Sequence, residues 1–153
     1  TTTTTTTSRV PVTTTTASGP SLPPFPSSSE EVRGNGTVTV HLSEGDAGVY
    51  ISSVSWFAST DTHVGLNEVG ISGQFGTQFA LVADPAQATF ETCRDQATWT
   101  TSLNWNQLNR GSFICIRYSG RRGIMRIDSM PDLDDNEPVA VITGNIWERI
   151  VDR

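Results

Sequence analysis

Four arginines fall between positions 117 and 126: Arg117, Arg121, Arg122 and Arg126. Guanidinium groups hold carboxylates and phosphates through parallel N–H bonds, so this cluster is a candidate anion site for a phosphate, a uronate or a peptide carboxylate. Like charges on neighbouring strands are unfavourable unless something answers them. The local answer is pairing with Asp128, Asp132 or Glu148. A second chemistry is carried by the tryptophans. Trp99 and Trp105, with Asn104 and Asn106 beside them, are candidates for stacking on sugar rings if one flat face exposes them. Trp147 closes an apolar run and reads as core.

Catalytic patterns are absent. There is no Gly-x-Ser-x-Gly elbow and no glycine loop followed by lysine. Asp61 and His63 with one of many serines carry no geometric information, and a carboxylate pair can always be found among 16 acids. The acidic turn 128–137 offers hard oxygen ligands in Asp132, Asp134, Asp135 and Asn136 but lacks the glycine and terminal glutamate of a calcium loop. It reads as a solvated connection. Two separated histidines, His41 and His63, do not make a zinc site. The sequence calls for no metal, no cofactor and no enzymatic activity.

Cys93 and Cys115 are the only cysteines. An even count in a small head favours a disulfide formed in an oxidising compartment. The competing reading is one reactive thiol using His41 or His63 as its base. Charge narrows the partners. From Thr37 onward 14 acidic residues face eight arginines, and lysine is absent from the whole chain. Such an acidic head is a poor ligand for nucleic acid or for an anionic membrane surface.

The elements that must position these residues are strands. Thr37–Leu42 alternates polar and apolar residues after the turn signal Gly34-Asn35-Gly36. Further strands are expected near Ser53–Ala58, around Val64, Leu66 and Val69–Ile71, and at Gln78–Val82, which stops at Asp84-Pro85. Ala86–Cys93 is expected to form a helical turn or two, with Ala86, Phe90 and Cys93 on one face. Ser112–Tyr118, Gly123–Asp128 and Val139–Trp147 are the clearest strands. In the hairpin at 112–128, a two-residue loop at Ser119-Gly120 and a four-residue loop ending at Arg122 both place Ile114, Ile116, Met125 and Ile127 on one core face. Cys115, Arg117 and Arg126 take the other. Turns every 8–12 residues without helical periods predict an all-β fold, a small antiparallel β-sandwich of jelly-roll type.

Ahead of this head, eleven threonines, six serines and five prolines occupy the first 29 residues. Thr and Ser carry too little apolar surface to offset backbone ordering, and proline favours an extended path. Residues 1–36 are therefore expected to be a disordered linker or stalk, and 37–153 the folded domain. Fully extended at ~3.1 Å per residue, the tract would reach about 90 Å. The chain opens on Thr1 without a signal or an apolar run of membrane length, so any anchor would lie upstream.

One stretch is distinctive in its order. Thr92-Cys93 is followed by Trp99, Leu103 and Leu108, then Gly111-Ser112-Phe113-Ile114-Cys115-Ile116-Arg117. Ser119-Gly120-Arg121-Arg122, Ile124-Met125-Arg126-Ile127 and a last strand ending in Trp147 complete it. This resembles an extracytoplasmic domain common in actinobacteria, found after Thr/Pro-rich linkers in membrane-anchored serine/threonine protein kinases and other surface proteins. That family's motif reads roughly Ile-Cys-Val-Arg-Thr-x-x-Gly-Arg. Here Tyr118 stands at the threonine and the turn carries an extra arginine, while residues 37–85 match loosely. The resemblance implies a surface-exposed, disulfide-bonded, non-catalytic β domain and supplies no ligand. The expectation is a sensor or ligand-binding head outside the cell, tethered to an upstream membrane-anchored part. Its partner would be a cell-wall or glycan ligand. A carbohydrate-binding module and a structural interaction domain are the alternatives.

Overall fold

The computed structural model describes residues 21–42, 48–52, 55–59 and 62–151. Two five-stranded antiparallel sheets face each other. The first runs β1 (Val32–His41), β10 (Val139–Ile150), β9 (Arg121–Ser129), β8 (Phe113–Tyr118), β6 (Gln78–Val82) in spatial order. The second runs β3 (Trp56–Ser59), β2 (Gly48–Ile51), β4 (Val64–Leu66), β5 (Gly70–Gly73), β7 (Ser102–Asn104). The β-sandwich predicted from turn spacing is the observed fold.

The main core lies between the sheets. Ile114, Ile116, Met125, Ile127, Ile142 and Val40 from the first sheet meet Val49, Ile51, Trp56, Val64, Leu66 and Ile71 from the second. Trp56 is one of two tryptophans in this core, and two glycines make room for it. A Cβ at Gly144 would come within 2.2 Å of the Trp56 ring, and one at Gly36 within 2.8 Å of its carbonyl oxygen. Gly34-Asn35-Gly36, which reads as a turn, is therefore the interior of a ten-residue strand that starts at Val32. The boundary expected at Thr37 moves with it. Glycine marks a close backbone approach here rather than a chain reversal.

The first sheet is also covered on its outer side. Phe113, Cys115, Ile124, Ala80 and Val82 pack against Phe90, Cys93, Ala88 and Trp147, with Phe25, Trp99 and Val151 partly buried around them. Burial on both faces explains the unbroken apolar run Phe113-Ile114-Cys115-Ile116, all four residues buried. The cover includes a short helix, α1 (Phe90–Arg94), capped by the Thr89 hydroxyl accepting from the Thr92 N–H. Phe90 and Cys93 point inward as expected, while Ala86 is exposed in a separate 3-10 turn at Pro85–Gln87.

Part of the expected stalk joins this cover. Phe25 meets Phe113 edge-on at 5.1 Å, the Pro23 carbonyl accepts from Arg126, and the Ser29 hydroxyl donates to Glu91. Composition argued for disorder through residue 36, but Pro23 and Phe25 supply enough apolar surface to cover the sheet. Residues 1–20, with both threonine runs, lie outside the described residues, as do Ser53, Val54 and Asp61. The strands expected around Val64, Leu66 and Val69–Ile71 are two, Val64–Leu66 and Gly70–Gly73, paired as a hairpin. The pattern also left out β2 and β7, which are four and three residues long.

Candidate functional site

The β8–β9 register decides where the arginines go. Tyr118 pairs with Arg121 and Arg117 with Arg122, so the hairpin closes on the two-residue loop Ser119-Gly120. Both loop residues have positive φ, 51° and 78°, the backbone of a type I′ turn that matches strand twist. Alternation then sends Arg117, Arg122 and Arg126 to the outer face and Arg121 to the other side.

On the outer face the arginines are built into the packing. The guanidinium carbons of Arg117 and Arg122 lie 4.8 and 5.2 Å from the centre of the Trp99 ring. Arg117 also donates to Gln78, and Arg122, only 3% exposed, donates from Nε to the Cys93 carbonyl at 3.2 Å. Two like charges directly opposite each other are thus answered by one aromatic face and two neutral acceptors. Arg126 stacks on Phe25 at 4.9 Å and pairs with Asp128 at 2.6 Å. Local pairing with Asp128, the alternative to an anion site, is what this face contains.

The tryptophans are also committed. Trp105 is 6% exposed and donates its indole N–H to the Asn67 carbonyl at 2.7 Å. Trp99 is half-buried, donates to the Gln96 carbonyl and carries the two guanidiniums. They do not form a flat exposed pair, which corrects the expected sugar platform. Among the described residues the exposed aromatics are Phe57 and Phe75, at 45% and 69%, which the sequence reading left out. Trp147 is core, set edge-on against Phe90.

Cys93 and Cys115 form a disulfide joining α1 to β8, and no free cysteine remains. The reading of a reactive thiol falls with it. His63 is buried, and its Nδ1 accepts from the Ile51 N–H at 3.0 Å. Its ring is wedged against Tyr118, Tyr50 and Phe75, at 4.3, 4.6 and 5.7 Å. His41 is exposed at the far end of β1. In the acidic turn, Asp132 and Asp135 accept from the N–H groups of Asp134 and Glu137, so these side chains shape the turn. Among the described residues no group of His, Cys, Asp or Glu is placed to hold a metal, and no helix is long and apolar enough to cross a membrane.

The remaining arginine opens a different site. Arg121 lines a cleft of about 440 Å³ at one end of the sandwich, with Arg33, Tyr50, Ser52, Tyr118 and Ser119 around it. It collects the start of β1, the end of β2 and the β8–β9 turn, with Ile51, Ile146 and Ile150 as apolar wall. Tyr118 joins the sheets here through its contact with His63. Burial, with Tyr50 beside it, pushes the Tyr118 hydroxyl above its ordinary value, against the opposing pull of Arg33 and Arg121. Arg121 donates to the Glu148 main-chain carbonyl. Among the described residues no carboxylate pairs with either Arg33 or Arg121. At the opposite end, a cleft of about 360 Å³ is lined, among the described residues, by Leu42, Asn67, Glu68, Val69, Asn136 and Pro138, with no arginine.

Sequence reasoning reached Arg121 but not Arg33, Tyr50 or Ser52. Arg33 precedes the glycines that read as a turn, so it fell in the expected linker. Fold and cleft together define a disulfide-bonded antiparallel β-sandwich with a cationic, tyrosine-lined pocket at one end. Searches of protein-family models, curated proteins and solved structures found no match for this chain.

Proposed function

We propose that this chain is a non-catalytic, extracytoplasmic ligand-binding head, tethered at the cell envelope by its Thr/Pro-rich tract and acting as a sensor. The single observation that carries this reading is the Cys93–Cys115 disulfide. A bond of that kind belongs to an oxidising compartment. The tract ahead of it has the composition of surface stalks. The resemblance around Gly111–Arg122 adds an upstream part, a membrane-anchored serine/threonine kinase among the candidates. Binding rather than catalysis is favoured because Cys93 and Cys115 are bonded and His63 Nδ1 is occupied by a main-chain N–H.

The test is the state of the thiols in the cell of origin. Protein recovered under rapid alkylation is expected to carry no label at Cys93 or Cys115 and to be cleaved by protease added to intact cells. Two labelled cysteines, or complete protection from external protease, would overturn the reading. A carbohydrate-binding module is a second reading, favoured by the exposed rings of Phe57 and Phe75 flanking Tyr50 and His63. Neutral oligosaccharide binding lost in Phe57→Ala and Phe75→Ala would select it.

A further inference from the structure

We propose that the cleft between the start of β1 and the β8–β9 turn binds a small organic oxyanion, a carboxylate or phosphate carried on a ring-sized body. This deepens the reading of the chain as a ligand-binding head and rests on it. Arg33 and Arg121 take the charge, and the half-buried rings of Tyr50 and Tyr118 take the body of the ligand.

Four observations carry it. First, the site is concave and of a size to hold a small ligand, about 440 Å³. Second, its two guanidiniums are unlike Arg126, whose charge meets Asp128. Arg121 spends one contact on a neutral carbonyl, and the Arg33 side chain makes no hydrogen bond or ion pair with the described residues. A guanidinium has five N–H donors in a fixed fork, so each retains donors that match an oxyanion. Third, the chain carries a net charge of −6, yet among the described residues Arg33 and Arg121 are the only charged side chains lining this cleft. Two cations held together in an otherwise acidic protein give a local field suited to an anion. Fourth, neutral donors surround them. The Tyr118 phenol is protonated at neutral pH, and burial raises its pKa further, with Ser119 beside it.

The placement also gives occupancy a consequence. Arg33 is the second residue of β1, directly after the segment whose Glu31 carbonyl accepts from the Glu148 N–H, and Arg121 donates to the Glu148 carbonyl. A ligand held by both arginines ties the start of β1 to the hairpin turn, where the chain comes in from its Thr/Pro-rich tract.

The experiment is an NMR titration of the full chain, disulfide intact, at fixed ionic strength. The probes are glucuronate, glucose 6-phosphate and inorganic phosphate, with glucose as the neutral control. Saturable shifts centred on Arg33, Tyr50, Tyr118 and Arg121 are expected with both acidic sugars, weaker ones with phosphate alone, and none with glucose. Tighter binding of glucuronate assigns a carboxylate and tighter binding of glucose 6-phosphate a phosphate; either supports the proposal. Arg33→Gln and Arg121→Gln are each expected to weaken binding about tenfold, the size of one lost charged hydrogen bond. Arg117→Gln, on the outer face, is expected to leave affinity unchanged. Amides 31–36 are expected to exchange more slowly with ligand bound. The proposal is overturned if neither acidic sugar shifts the cleft, if glucose binds equally, or if Arg33→Gln binds like the parent. Failure here leaves the alkylation result untouched, and free thiols there would sink the exported head without altering these titrations.

Discussion

The outer face of the first sheet and the cleft at its end use the same residue type in opposite ways. On the outer face Arg117, Arg122 and Arg126 are held by Trp99, Phe25, Gln78, the Cys93 carbonyl and Asp128. In the cleft Arg33 and Arg121 face two tyrosines and, among the described residues, no acid. An arginine whose donors are spent on its own protein supports the fold. One whose donors are left over near a concavity is available to a partner. The lesson is about accounting for donors: arginine density along the chain pointed to one region, while unspent donors point to another.

Substitutions should therefore separate stability from binding. The largest effect is expected from removing the disulfide. Cys93→Ala with Cys115→Ala should lower the unfolding free energy by about 3 kcal/mol, read as a lower midpoint in urea. Any protein still folded should keep its affinity for acidic sugars. Loss of affinity in proportion to stability would erase the distinction between the two regions.

Next in size is Arg126→Met. It strands Asp128, a side chain 12% exposed, without its cation, and should cost about 2 kcal/mol. Affinity at the cleft should not change. Arg33→Gln is the mirror image: its unfolding midpoint should stay within about 0.5 kcal/mol of the parent while ligand affinity falls. If Arg33→Gln destabilised the fold as much as Arg126→Met does, Arg33 would belong with the outer-face arginines.

The smallest effect is electrostatic. The Tyr118 hydroxyl is raised in the folded chain, so folding holds that proton more tightly than the unfolded chain does. The stability it contributes is fully present below the ordinary phenol value of about 10 and is lost as pH rises through the folded value. Because Arg33 pulls that value down, Arg33→Gln should make Tyr118 titrate later in an alkaline absorbance titration. Titration at the same pH in both proteins would remove Arg33 from the neighbourhood of Tyr118.

Much of the sandwich could be read from the chain. Gln78–Val82 was bounded correctly because apolar side chains stop at Asp84-Pro85. The hairpin faces followed from strict alternation, and the type I′ loop settled the register that two loop lengths had left open. The errors share a cause. Gly34-Asn35-Gly36 read as punctuation because a sequence does not reveal the tryptophan that needs the missing side chain of Gly36. That misreading moved Arg33 into a linker. Trp99 and Trp105 looked exposed because their neighbours are polar, yet both indole N–H groups found main-chain carbonyls, which lets the rings pack down.

Alternation, turn chemistry and cysteine count are properties of neighbours along the chain, and they were sufficient for the fold class, the hairpin faces and the expectation of a disulfide. The cleft depends on residues from positions 33, 50, 118 and 121 converging at one sandwich end. That convergence is set by which strands pair and by how two sheets stack around Trp56. Whether an arginine's donors are already spent is likewise decided across the fold, by partners as distant in sequence as Pro23 from Arg126.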